Sequence, residues 1–206
     1  MAMETIRKFE GGSLLQDESG NDYIKLNDVI LNFPSLLKKK KFKTDKGDGN
    51  YLVRVLIPKD RKAVRDALLE VGKKLAAEKK LDWSKLKEDH KFLVDGNKSP
   101  YDEEDGFYVV KMKESRRPVV RLKNKEPLSP DDEGAMEKVY SGVHSDCIFG
   151  FYAYNNEYKG VKANPKSFRL LEFGEQFSNS GGVDDEELYD DDDDGDGFER
   201  DDNDDL

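Results

Sequence analysis

Apolar and polar residues alternate along several short stretches of the chain, and such alternation is typical of β-strands with one buried face. Stretches of this kind predict strands at 24–33, 51–57, 107–113, 118–123, 139–154 and 167–173. Pro34 and Pro58 follow the first two stretches. We expect each proline to end its strand, because proline has no N–H to donate to a neighbouring strand.

One stretch instead follows the 3.6-residue period of an α-helix. Its repeating apolar positions are Val64, Ala67, Leu68, Val71 and Leu75. They predict an amphipathic helix at 61–79 that packs against the sheet. A parallel α/β sheet would need a helix after nearly every strand. The pattern therefore favours a mainly β fold, a small and partly open antiparallel barrel of five or six strands with one inserted helix.

Charge divides the chain into parts. Residues 184–206 contain 15 acidic residues and one arginine and so carry −14, although the whole chain carries −10. That leaves +4 on residues 1–183. Carboxylates at this density repel one another, and too little apolar surface remains to form a core, so we predict a disordered acidic tail. The expected parts are an N-terminal arm with one edge strand (1–22), a folded domain (23–177) and the tail (178–206).

Composition argues against several classes of protein. Charged residues make up 39% of the chain, the mean hydropathy is −0.88, and no apolar run approaches the roughly 18 residues of a membrane span. The first residues lack the apolar stretch of a secretory signal. One cysteine, Cys147, and two histidines exclude an internal disulfide and a structural zinc finger. We expect a soluble protein of a reducing cytoplasm, without a cofactor, a metal or a membrane partner.

Aromatic and cationic side chains are interleaved on the predicted strands. Phe107 shares one strand face with Lys111 and Lys113, and Tyr152 shares a face with Tyr154. Single-stranded nucleic acid suits such surfaces, since bases stack on aromatic rings and phosphates follow cations. Cross-strand packing and a solvated lysine face explain the same pattern and stay open. The candidate nucleic-acid-binding residues are Lys39, Lys41, Lys43, Tyr51, Arg54, Phe107, Lys111, Lys113, Arg116, Arg117, Arg121, Tyr152, Tyr154, Lys159 and Lys162.

A lysine-rich stretch, KKKKFK at 38–43, lies within a predicted loop at 35–50. Runs of lysine are usually solvated loops. The nearby Gly47 and Gly49 favour a mobile arm that closes over a phosphate chain. A nuclear-import signal is the other interpretation, and it requires a nucleus.

The candidate catalytic groups match no known signature. Residues 102–105 read DEED, but adjacent carboxylates on a loop diverge, so a solvated turn explains them better than a metal-dependent nuclease. Ser141, His144 and Asp146 are residue types of a catalytic triad without its sequence motif. Residues 190–201 begin like a calcium-binding loop but lack the glutamate expected at its twelfth position. We predict that the protein is not an enzyme.

Four pieces of the chain resemble a family of bacteriophage single-stranded DNA-binding proteins, long labelled only as a domain of unknown function. They are GNYLVRVLIPKDRKAVRDALLEVGKKLAAE at 49–78, RPVV at 117–120, VYSG at 139–142 and FYAYNNEYKGVKANPKSFRLLEFGE at 151–175. The resemblance implies an OB-type barrel with an inserted helix. It also implies non-sequence-specific coating of single-stranded DNA during replication and recombination, in the cytoplasm of an infected bacterial host.

The acidic tail imitates single-stranded DNA in its charge and its sparse aromatic residues. We expect it to compete with DNA for a basic groove and, once displaced, to recruit replication proteins such as a polymerase or a helicase. The residues assigned to this role are Asp190, Asp191, Asp192, Asp193, Asp194, Phe198, Asp204, Asp205 and Leu206. A homodimer formed through edge strands is a further expectation. The alternative function is an acidic, chaperone-like carrier of basic proteins.

Overall fold

The structure is a computed structural model that describes residues 3–43 and 47–177. Its nine strands are β1 (Met3–Phe9), β2 (Gly12–Asp17), β3 (Asp22–Lys40), β4 (Asn50–Pro58), β5 (Leu93–Asp95), β6 (Phe107–Glu114), β7 (Val119–Arg121), β8 (His144–Asn155) and β9 (Lys159–Leu170). The α-helix of these residues, α1, spans Lys62–Glu78. Short 3-10 turns occupy Trp83–Lys85, Glu88–His90, Gly96–Lys98, Asp102–Glu104 and Met136–Lys138. No helix in the described ranges is long and apolar enough to cross a membrane.

Five of the strands close into a barrel. β3 pairs with β4, β4 with β6, β6 with β9 and β9 with β8, which returns to β3. The mainly β barrel with one helix that the sequence predicts is confirmed. The expectation of a wholly antiparallel barrel is wrong at one pair, because β6 and β9 run parallel where Met112 lies opposite Ala163. An odd number of strands cannot alternate in direction all the way around a closed ring.

The barrel and the helix share one hydrophobic core. On β4, Val53, Val55 and Ile57 point into this core, and the residues between them face the other way. The buried residues of α1 are Val64, Ala67, Leu68, Val71, Gly72 and Ala76. Most of them join the same core, so the helix packs as its amphipathic pattern predicts. Leu68 is fully buried at the centre of this contact.

Residues 3–17 form a β-hairpin of two strands, where the sequence predicts an arm with one edge strand. β1 pairs with β2, and β2 pairs with the first part of β3, so the hairpin continues the sheet beyond the barrel. Leu15 is buried, and Phe9 and Leu14 pack against the core. Most residues of β1 are exposed. β1 corresponds to the edge strand that the sequence predicts in this arm, whereas β2 is not predicted.

β3 continues past Pro34, contrary to the expectation that this proline ends the strand. Its ladder with β4 is interrupted after Asn32 and resumes where Ser35 lies opposite Leu52. Phe33 has a φ of +46°, a left-handed conformation that is unusual for a bulky residue and breaks the regular strand there. Pro34 thus occupies a break where no ladder N–H is needed, and the strand re-forms after it.

The last strand, β9, begins at Lys159 and is longer than the predicted 167–173. Pro165 lies inside it opposite Phe149, next to a register shift that follows Ile148. An irregularity of this kind accommodates proline without the loss of a ladder hydrogen bond. The longer strand places Lys162 on a strand, where the sequence suggested a loop.

Candidate nucleic-acid interface

Tyr152 and Tyr154 lie on the side of β8 that faces away from the barrel interior. Their ring centroids are 6.3 Å apart, and Tyr152 is 41% exposed. Phe149 is fully buried in the core, and the ring of Phe151 contacts it at a centroid distance of 5.3 Å. The alternation of the strand therefore turns the two phenylalanines inward and the two tyrosines outward.

Lys162 and Lys111 bring positive charge to Tyr152. Lys162 lies directly opposite Tyr152 in the ladder between β8 and β9, so the two side chains share a face. Lys111 lies on β6, the next strand of the barrel. The ammonium groups of Lys111 and Lys162 both donate to the backbone carbonyl oxygen of Asp89, at 3.3 Å and 3.0 Å. The shared acceptor holds two cations of neighbouring strands close together.

The position of Tyr154 depends on a glycine opposite it. A Cβ atom at Gly160 would lie 2.4 Å from the Tyr154 hydroxyl and 2.7 Å from the carbonyl oxygen of His90. The residue there must be glycine if Tyr154 is to cross it at this distance. The ring nitrogen Nδ1 of His90 lies 2.8 Å from the carbonyl oxygen of Lys159. The segment that supplies the Asp89 carbonyl is thus tied to the start of β9.

The lysine-rich stretch adjoins the same surface at β4. Lys113 lies opposite Leu52 in the ladder between β6 and β4, and Leu52 packs against the buried ring of Phe42. The Nζ atom of Lys40 is 5.2 Å from the centroid of that ring, a cation–π distance. From β8 to β4 the surface crosses three strand spacings, roughly 14 Å. We define the outer face as Lys111, Lys113, Tyr152, Tyr154 and Lys162.

Arg54 is buried, which contradicts its predicted contact with nucleic acid. Its guanidinium donates to both carboxylate oxygens of Glu104, at 2.6 Å and 2.7 Å, and Asn32 donates to the same carboxylate at 3.1 Å. All three residues are buried. The interpretation of 102–105 as a solvated turn is therefore wrong for Glu104. A buried guanidinium needs a carboxylate partner, and this turn supplies it.

The other predicted residues do not belong to the outer face. Phe107 begins β6, four residues from Lys111 and so about 13 Å along the strand. Tyr51 is half-buried, and strand alternation places it on the face of β4 opposite to that of Leu52. The remaining predicted cations are exposed, and they are Lys39, Lys41, Lys43, Arg116, Arg117, Arg121 and Lys159. The predicted tail residues, at 190–206, lie outside the described residues.

The triad residue types do not form a catalytic site. Ser141 Oγ accepts a hydrogen bond from a backbone N–H at 2.9 Å, His144 Nδ1 lies 2.5 Å from Asp28 Oδ1, and Asp146 accepts from an arginine of β9. Burial raises the pKa of the Cys147 thiol well above its ordinary value, so this cysteine is a poor nucleophile. Within the described ranges, no cluster of three His, Cys, Asp or Glu side chains could hold a metal ion.

Sequence reasoning missed three contributors to this surface. The Asp89 carbonyl left no signal, because a backbone acceptor is independent of the side chain that carries it. Lys40 and Phe42 lie within the run at 38–43, for which the sequence predicts a loop, either solvated or a mobile arm over a phosphate chain. The signal that distinguishes them is the buried Phe42 itself, an aromatic residue among lysines that needs an apolar partner, here Leu52.

The profile of the family described as "Enterobacter phage Enc34, ssDNA-binding protein" matches residues 22–199 of this chain. The chain belongs to this family. A curated relative, "Putative protein p50" of Acyrthosiphon pisum secondary endosymbiont phage 1, is 31% identical over 176 residues, which cover 82% of this chain and 92% of the relative.

Two solved structures of the bacteriophage Enc34 protein share the architecture. The structure of the single-stranded DNA-binding protein from bacteriophage Enc34 has 25% identity and a TM-score of 0.73, and the match covers 92% of this chain and 99% of that chain. The structure in complex with ssDNA has 27% identity and a TM-score of 0.71, and covers 85% of this chain and 98% of that chain. The OB-type barrel implied by the sequence pieces is thereby confirmed.

Proposed function

We propose that this protein binds single-stranded DNA through the outer face, without regard to base sequence. The observation that carries the proposal is the position of Tyr152 and Tyr154 beside two lysines that share the Asp89 carbonyl. Family membership supports it, as does the likeness to a protein solved in complex with ssDNA. The protein acts by binding and performs no catalysis.

The chemistry of the outer face suits unpaired bases. A base stacked on an aromatic ring contributes about 1–3 kcal/mol, and every base has such a face, so stacking favours no particular sequence. In a duplex these faces are covered by neighbouring bases, so the tyrosines favour a single strand. Lys111, Lys113 and Lys162 attract the phosphates, and each phosphate contact releases counterions and makes binding salt-dependent.

The biological role that follows is the coating of single-stranded DNA during phage replication and recombination, in the cytoplasm of the infected host. The acidic residues 184–206 carry −14 and, fully extended, reach about 75 Å at roughly 3.3 Å per residue. A tethered polyanion acts at an effective concentration of about 1 mM, so it competes with loosely bound DNA for the outer face. DNA that engages many phosphates displaces the tail, which then recruits basic surfaces of a polymerase or a helicase.

The direct test is titration of the intact protein with labelled dT oligomers of increasing length at several salt concentrations. Affinity should rise with length, and the plot of log affinity against log salt should have a slope of about −0.7 per contacted phosphate. Oligomers of mixed sequence should compete almost as well as dT. A duplex of the same length should bind much more weakly. Equal affinity for the duplex, or binding insensitive to salt, would refute the proposal.

A further inference from the structure

A cleft of about 440 Å³ opens beside the break in β3, outside the outer face. Three half-buried rings line it, those of Phe33, Tyr140 and Phe177, together with Lys40. Its volume lies in the range of pockets that hold small organic molecules, about 300–1,000 Å³. We call it the Phe33 cleft. The proposed function does not account for it.

The VYSG motif at 139–142 builds one wall of the cleft. The Tyr140 hydroxyl donates to the carbonyl oxygen of Gly174 at 3.1 Å, and the carbonyl oxygen of Ser141 accepts from the N–H of Phe177 at 2.9 Å. A Cβ atom at Gly142 would lie 1.9 Å from the carbonyl oxygen of Glu175. The motif therefore holds residues 174–177 against the barrel and positions the ring of Phe177 at the cleft.

Phe33 is held at the cleft by a buried network. Its N–H donates to Ser141 Oγ at 2.9 Å and to Asn32 Oδ1 at 3.1 Å, and these contacts support its left-handed backbone. The centroid of its ring lies 4.4 Å from the centroid of the Tyr101 ring, and the guanidinium of Arg54 lies over the Tyr101 ring. Strained backbone that is fixed from several sides is characteristic of functional sites. Here the fixed residue is an aromatic ring at the wall of a cleft.

The cleft is continuous with the outer face through Lys40. Lys40 lines the cleft and also lies over the ring of Phe42. Phe42 packs on Leu52, whose neighbour across the sheet is Lys113 of the outer face. A DNA strand that crosses the outer face from β8 toward β4 therefore reaches the cleft.

We propose that the Phe33 cleft receives one unstacked base of the bound DNA strand, with the adjoining phosphate at Lys40. This inference rests on the proposed function. Among its lining residues the cleft has one cation, Lys40, and one anion, Glu137, so its interior suits a neutral ring rather than a series of phosphates. Aromatic walls favour a base, because any base can stack on them. The site fixes the end of the bound strand on the protein.

The test is photocrosslinking of the intact protein to dT oligomers of about 16 nucleotides in which 5-iodouracil replaces one thymine at a time. Crosslinked residues are then identified by mass spectrometry. Positions near one end of the strand should crosslink to Phe33, Tyr140 or Phe177, and interior positions to Tyr152 or Tyr154. Crosslinks at the outer face without any in the cleft, at every position, would overturn the inference and leave the proposed function intact.

Affinity provides an independent readout. Phe177→Ala should weaken binding of long oligomers about five- to tenfold, the loss of one stacked base, and Phe177→Tyr should restore it. Phe173→Ala is the matched control, because Phe173 is an exposed ring of the same segment that stacks on His144 instead. Equal losses for Phe173→Ala and Phe177→Ala, or none for either, would overturn the inference. Failure of the unmodified protein to bind dT would refute the proposed function as well.

Discussion

Arg54 and Glu104 form a two-pronged ion pair inside the protein, with Nε to Oε1 at 2.6 Å and Nη2 to Oε2 at 2.7 Å. Both side chains are almost inaccessible to solvent, at 5% and 0% exposure. Burial of two charges is costly, and their attraction offsets that cost only when the geometry is good and other hydrogen bonds complete the shell. Asn32 supplies one of those bonds. The pair ties the turn before β6 to β4 and to the break in β3.

Removal of one partner should be far more damaging than removal of both. Glu104→Ala should lower the free energy of unfolding by about 3–5 kcal/mol, because it leaves a guanidinium buried without a carboxylate. The double variant Arg54→Met with Glu104→Leu should recover most of that loss. Urea denaturation of the three proteins measures both effects. The exposed pair of Arg7 and Glu70 is the control, since solvent screens it and Arg7→Ala should change little.

Tyr101 should tolerate the loss of its hydroxyl. Its Oη atom is buried and has no hydrogen-bond partner among the described residues, so Tyr101→Phe should leave the free energy of unfolding unchanged or raise it by about 1 kcal/mol. Tyr140→Phe is the matched control and should be destabilising by about 0.5–1.5 kcal/mol, because the Tyr140 hydroxyl donates to Gly174. A marked loss of stability for Tyr101→Phe would contradict the placement.

Tyr101 should also affect how the free energy of unfolding depends on pH in the alkaline range. Burial raises the pKa of Tyr101 to about 12, from about 10 in an unfolded chain. Below pH 10 the phenol is neutral in both states and its contribution to stability is complete. Between pH 10 and 12 the unfolded chain loses the proton first, so stability falls as pH rises. Tyr101→Phe should remove that part of the alkaline loss, as measured by urea denaturation at several pH values.

Strand alternation predicts which side chains are buried only where burial depends on the local sequence. Tyr152 and Tyr154 face outward because their neighbours Phe149 and Phe151 supply the core side, and that difference is visible in the sequence. Arg54 alternates in the same way, but a turn fifty residues away covers it. Nothing in the local sequence distinguishes its partner, Glu104, from an exposed carboxylate of a loop. The burial of a strand residue by a segment distant in sequence cannot be predicted from the sequence of that strand.

The expectation that a proline ends its strand holds at Pro58, where β4 ends, but fails at Pro34 for a different physical reason. Pro34 and Pro165 lack the N–H that a regular ladder needs, and both nevertheless lie within strands. Each is found beside an irregularity, the positive φ of Phe33 and the register shift at Phe149. Sequence patterns indicate where a ladder cannot be regular. They do not indicate whether the strand ends there or continues after a bulge.

Tyr152 should contribute to DNA affinity by stacking. Tyr152→Ala should reduce the binding free energy for a dT oligomer by about 1–3 kcal/mol and leave the slope of log affinity against log salt unchanged, because no charge is lost. Phe107→Ala should have a smaller effect, since Phe107 begins β6 at a distance from Tyr152 and its cations. Fluorescence anisotropy at several salt concentrations measures both quantities. Equal losses for the two variants would argue against the outer face as the main stacking surface.

Lys162 and Lys111 should contribute through charge. Lys162→Gln should reduce the magnitude of the salt slope by about 0.7, the value for one phosphate contact on a single strand, and Lys111→Gln should do the same. Lys73→Gln is the control, because Lys73 is exposed on α1 and its removal changes the net charge equally. If all three variants reduce the slope alike, the effect arises from overall charge and not from the outer face.

Truncation after Val183 tests the proposed competition by the tail. The shortened chain carries +4 in place of −10, and it should bind dT oligomers more tightly than the intact protein. The difference should be largest at low salt and should shrink toward ~1 M, where the screening length falls to about 3 Å. A full-length variant with Asn and Gln in place of the tail carboxylates separates charge from length and should behave like the truncated chain. Unchanged or weaker binding after truncation would eliminate competition by the tail, and a neutral tail that still inhibits would assign the effect to bulk rather than to charge.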